Sequence, residues 1–129
     1  MKRAIIIGSI LLLAVFGGLA YFYSKTKSFS PEANVQFEDG DLKIHVFYNR
    51  PYKKGRKIFG GLEPYGKVWR TGANEATYIE TNKTLDFGGG QLLKPGKYSL
   101  WTIPDEQTWT VMFNTQYPSW GVSFDGAAN

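Results

Sequence analysis

The chain contains no cysteine. Disulfides, thiolate metal sites and cysteine nucleophiles are excluded at once, and so is membrane attachment through a lipid-modified cysteine. There is a single histidine, His45, so a histidine-rich metal site is excluded too. No metal and no cofactor is expected. A long helical stripe is missing after residue 27, which removes the helix-bundle classes. No serine stands in a nucleophile-elbow motif. The glycine run Gly88, Gly89, Gly90 lacks the Lys-Ser/Thr and the following helix of a phosphate loop. Asn82-Lys83-Thr84 is a glycosylation triplet of a kind frequent by chance.

What is present first is an apolar run. Residues 4–23 read AIIIGSILLLAVFGGLAYFY and carry no charge. At about 1.5 Å per residue, such a helix spans roughly the 30 Å hydrocarbon core of a bilayer. Tyr21, Phe22 and Tyr23 fall where an aromatic belt would lie. The alternative is a cleaved signal peptide, with Gly18-Leu19-Ala20 as the small-residue cleavage site and a secreted product. The length and aromatic end favour a retained single-pass anchor, amino terminus inside and domain on the extracytoplasmic side. Residues 24–31 read as a short polar tether.

The formal net charge of +4 and pI near 9.3 suggest nucleic-acid binding until the charges are located. Lys2, Arg3, Lys25 and Lys27 flank the apolar run and account for the whole excess, because residues 28–129 hold 11 basic and 11 acidic residues. Basic flanks belong to membrane insertion. A nucleic-acid footprint on the domain as a whole is not indicated. The organisation is a membrane anchor or signal segment, 1–27, and one β-rich domain, 28–129.

Period-two alternation dominates the domain. Val35 and Phe37 alternate with polar neighbours, Asp39-Gly40 offers a hairpin turn, and Leu42, Ile44, Val46 and Tyr48 alternate again. Residues 76–81 and 85–87 are short strand candidates. Residues 97–103 and 108–114, joined by a turn at 105–107, form the clearest hairpin. Trp109, Val111 and Phe113 are expected on one buried face, opposite Tyr98 and Leu100. The fold class is all-β, a small antiparallel β-sandwich or barrel-like domain after one N-terminal transmembrane or signal helix. Val122 and Phe124 read as the start of a last strand, and residues 126–129 as a turn with nothing after it. That is the pattern of a truncated or short domain with an unpaired sheet edge.

Residues 49–70 contain seven basic residues, among them Arg50, Arg56, Lys57 and Arg70, against one acid, Glu63. Within a neutral domain this is a strong polarisation, suited to an anionic glycan, a lipid head group or an acidic protein. Structureless loops of this length are often functional. Beyond it, Trp69, Arg70, Asn74 and Glu75 surround Gly72, and Arg70 offers a fork for carboxylate or phosphate. The candidate ligand-binding residues are therefore Arg50, Arg56, Lys57, Trp69, Arg70, Asn74 and Glu75. The reading they favour is a non-catalytic binding module of the cell envelope. The alternatives are an envelope hydrolase using His45 and Glu75 as acid and base with Arg70 stabilising charge, or a purely structural domain whose Arg70–Glu75 pair braces a turn.

The segments YNRP at 48–51, KGRKIFGGLEPYGKVWRTGANEAT at 54–77, LKPGKYSLWTIP at 93–104 and WTVMFN at 109–114 resemble the domain of unknown function 2911 family. The resemblance covers most of residues 30–124. It implies a bacterial protein that is exported or membrane-anchored, with further strands beyond the present carboxy end. No activity comes with it. Its best-matching stretch lies between Arg50 and Glu75.

Overall fold

The computed structural model describes residues 2–116, with side chains from residue 5 onward. The strand expected at Val122 and Phe124, and the turn after it, lie outside the described residues. Helix α1, Lys2–Phe29, is followed by β1, Glu32–Asp39, and β2, Leu42–Asn49. Then come β3, Tyr78–Thr81; β4, Leu85–Asp86; β5, Leu92–Leu93; β6, Gly96–Ile103; and β7, Thr110–Asn114.

Helix α1 runs past the apolar stretch into residues expected to be a polar tether. The hydroxyls there bond back to helix carbonyls, satisfied within the turn. Thr26 Oγ1 donates to the Phe22 carbonyl at 2.8 Å, and Ser28 Oγ donates to the Lys25 carbonyl at 2.7 Å. Lys27 in the last turn suits the negative end of the helix dipole. Pro31 then disfavours helical backbone at Ser30, and the helix stops. From Ile5 to Phe29 the helix is long and apolar enough to cross a membrane, and none of its most apolar stretch is buried against the domain.

The five strands β1-β2-β3-β6-β7 form one antiparallel sheet in that order, and β4-β5 form a separate two-stranded hairpin. Among the described residues the sheet is open and closes no barrel. The first turn is centred on Gly40 and Asp41, one residue beyond the expected dipeptide, since Asp39 pairs with Leu42. Gly40 supplies the left-handed conformation there, φ 54°. Alternation along the paired strands sorts the side chains. One face carries His45, Phe47, Tyr78, Ser99 and Trp101. The other carries Val35, Phe37, Ile44, Val46, Ile79, Leu100, Val111 and Phe113.

The expected β6–β7 hairpin is present, and Leu100 faces Phe113 directly. Trp109, Val111 and Phe113 do share a face, but Val111 is 50 % exposed and Trp109 42 %. The expectation of burial fails, β7 being the outermost strand of the sheet among the described residues. Over it lies the β4–β5 hairpin, whose Phe87 stacks on Phe113 at 5.5 Å. The packed centre is on the opposite face, where Trp101 and Ser99 are buried and joined by an indole-to-hydroxyl hydrogen bond of 3.0 Å.

Candidate functional site

The long loop between β2 and β3 folds on itself through its backbone. Lys54 and Gly55 both take positive φ, 48° and 70°, which reverses the chain. Arg56 locks the turn by donating Nε to the Lys53 carbonyl at 3.0 Å and Nη2 to the Tyr52 carbonyl at 2.8 Å. A second knot follows, with the amides of Leu62 and Glu63 donating to the carbonyls of Lys57 and Ile58. Gly60, φ 69°, lies so close to Tyr65 that an added Cβ would come within 2.5 Å of the ring. The loop is then fixed to the sheet. Trp69 exchanges backbone hydrogen bonds with Thr102, and the Gly66 amide donates to the Pro104 carbonyl. Phe59 meets Trp69 and Trp109 edge-on, with centroids 5.6 and 4.5 Å apart. The loop is thus tied down throughout, with Lys53, Lys54 and Lys57 exposed. Its aromatics pack together while staying at the surface; Phe59 is 37 % exposed.

Between this loop and the end of β2 is a cavity of about 440 Å³. Arg50, Lys53 and Arg56 line it as cations, Glu63 as the one acid, and Ile58, Leu62 and Trp69 as apolar wall. Burial pushes the Glu63 carboxyl above its ordinary value, so its negative charge is the least secure in the wall. Asn49, 2 % exposed, also lines the cavity. Its Nδ2 donates to Glu75 Oε2 at 3.1 Å. That carboxylate fixes the orientation of the amide, because only the nitrogen can donate to it. Asn49 Oδ1 is left buried with no partner among the described residues, and so is Asn74 Nδ2. Buried polar atoms without partners are uncommon and ask for an explanation.

The candidate residues divide. Arg50, Arg56 and Trp69 line the cavity, while Lys57 stands exposed on the loop with its carbonyl engaged. Arg70 and Asn74 are half-buried outside the cavity wall, and Asn74 has φ 54°. Glu75 makes no ion pair with Arg70. Its Oε1 accepts from Lys27 Nζ at 2.9 Å and from Tyr23 Oη at 3.4 Å. Burial pushes the Glu75 carboxyl up, but the Lys27 ammonium and the Asn49 amide more than offset this and hold it below its ordinary value of 4.5. His45 is elsewhere: its Nε2 lies 3.0 Å from Asn34 Oδ1, its ring meets Tyr78 edge-on, and it lines a different groove with Glu38, Lys43 and Glu80. His45 and Glu75 share no cavity.

Sequence reasoning passed over Asn49, Lys53 and Glu63. Asn49 was legible only as a polar residue ending an apolar alternation. Lys53 and Glu63 were counted as charge, with nothing to say which charges a folded loop turns inward.

A family model described as "Protein of unknown function (DUF2911)" matches residues 30–129. No curated protein and no solved structure matches the chain.

Proposed function

The chain belongs to the DUF2911 family, and from that premise and its geometry we propose that it is a membrane-anchored binding module of the cell envelope. In this reading α1 is a single-pass anchor, the domain lies on the extracytoplasmic side, and the β2–β3 loop takes a small anionic ligand. Support for the anchor is the exposure of every large apolar side chain from Ile5 to Phe22. A helix apolar all round has no stable place in water.

The observation that carries the binding reading is the cavity with Arg50, Lys53 and Arg56 against Glu63 alone. Like charges brought together repel, and an anion relieves that repulsion. The apolar wall of Ile58, Leu62 and Trp69 suits a ligand with a hydrophobic body beside its charged group. Acid–base hydrolysis has less support, because His45 and Glu75 are committed to different neighbours.

The test is a thermal-shift screen of the full chain in detergent against small phosphates, carboxylates and sulfonates, each paired with a neutral ester of the same body. Anions that raise the melting temperature where their esters do not support the reading. Equal shifts for both members of every pair contradict it.

A further inference from the structure

The end of α1 is clamped to the domain. Lys27 Nζ bonds Glu75 at 2.9 Å and Glu32 at 3.3 Å, Tyr23 reaches Glu75, and the Arg50 amide donates to the Pro31 carbonyl at 2.9 Å. Tyr23, the last residue of the apolar run, therefore touches the domain directly. From Tyr23 to Phe29 the helix climbs only about 9 Å at 1.5 Å per residue. The headgroup layer of one leaflet is roughly 5–8 Å thick. A domain held this way rests on the headgroups.

At that height a second cleft, of about 340 Å³, opens between the helix end and the loop. Phe29, Ser30, Pro51, Tyr52, Lys54 and Arg56 line it. Lys54 Nζ sits 4.5 Å from the centroid of the Phe29 ring. Its backbone is in the left-handed region at φ 48°, which an L side chain adopts only under strain. Lys27, by contrast, has its charge matched by two carboxylates. Among the described residues Lys54 has no carboxylate partner, and Arg56 has Nη1 still to donate after Nε and Nη2 are bound to carbonyls.

We propose that this junction cleft, through Lys54 and Arg56, binds the phosphate of an anionic phospholipid in the leaflet from which α1 emerges. The cleft lies at the outer edge of the headgroup layer, within reach of a lysine or arginine side chain, its two cations come from one turn, and Phe29 and Tyr52 give it an apolar side. The proposal rests on the reading of α1 as a retained anchor. It concerns a different opening from the ligand cavity, with Pro51 and Arg56 common to both.

The experiment reconstitutes the full chain in nanodiscs of mixed phosphatidylcholine and phosphatidylglycerol. Native mass spectrometry then counts the lipids retained on the released protein. Wild type is expected to retain phosphatidylglycerol several-fold above its share in the disc. Lys54→Gly, which keeps the backbone conformation without strain, is expected to fold with an unchanged circular-dichroism spectrum and to retain the two lipids in the disc ratio. No enrichment in wild type, or equal enrichment in folded Lys54→Gly, overturns the proposal alone. Inorganic phosphate that removes the enrichment as readily as added phosphatidylglycerol assigns the cleft to a soluble phosphate and also overturns it. Release of the wild-type chain from vesicles at alkaline pH overturns the anchor reading, and the proposal with it.

Discussion

Lys27, in the last turn of α1, and Glu75, at the far end of the β2–β3 loop, lie 2.9 Å apart from Nζ to Oε1. Residues 48 positions apart in the chain are thereby joined at the point where the helix leaves the domain. The other oxygen of Glu75 accepts from Asn49 in the cavity wall. One carboxylate links α1 to the proposed ligand site.

Glu75→Ala is expected to leave the buried Asn49 amide nitrogen without an acceptor, at a cost of about 1–3 kcal/mol. Chemical denaturation of the full chain in detergent measures it. Lys27→Ala removes a more exposed partner, keeps the Asn49–Glu75 bond and is expected to cost less. A larger loss for Lys27→Ala than for Glu75→Ala would contradict the assignment of the main role to the buried bond.

The same carboxylate sets an acid limit. Its folded value is depressed below the ordinary 4.5. The stability it contributes is therefore fully present above the ordinary carboxylate range and is lost as pH falls through the depressed value. Melting temperature against pH should decline in that acidic window, and Glu75→Gln should show a shallower decline there. Parallel curves for the two proteins would contradict this.

Glu63 gives the opposite sign. Burial raises its carboxyl, so it takes up a proton at a higher pH than an exposed glutamate. Protonation removes the one acid from a wall that holds Arg50, Lys53 and Arg56. Affinity for a sulfonate, whose own charge is constant, should rise as pH falls from neutral. Glu63→Gln should bind more tightly at neutral pH and lose that dependence. A flat profile for wild type would contradict the role of Glu63.

Gly55 and Gly60 form a matched pair. Their φ values are 70° and 69°, but a Cβ at Gly55 meets nothing within 4 Å, whereas at Gly60 it comes within 2.5 Å of Tyr65. Gly→Ala at either is expected to cost about 1 kcal/mol from backbone strain. Gly60→Ala should cost a further ~1–3 kcal/mol from the clash. Equal losses by denaturant titration would show that Tyr65 moves aside freely.

The strands other than β5, the two long hairpins and the charge of the loop could be read from the sequence, because alternation and turn residues act locally. The exposure of Val111 could not. Alternation says that Val111 and Phe113 share a face, and only the arrangement of strands says that this face lies at a sheet edge. The partner of Glu75 was equally hidden. Arg70 is near in sequence, Lys27 is distant, and the choice depends on α1 continuing through residues 24–29. Within the site, composition identified Arg50 and Arg56, while the inward placement of Asn49 and Glu63 followed from the loop's own hydrogen bonds.

The central claim is that the loop cavity takes an anion because Arg50 and Lys53 face it. The direct measurement is calorimetric titration of the full chain with the anion that most raises its melting temperature, beside the double variant Arg50→Glu/Lys53→Glu. The account predicts binding weakened at least about tenfold in the variant, ~1.4 kcal/mol. It also predicts loss of wild-type affinity with added salt. Equal affinity for wild type and the folded double variant, unchanged by salt, would contradict it.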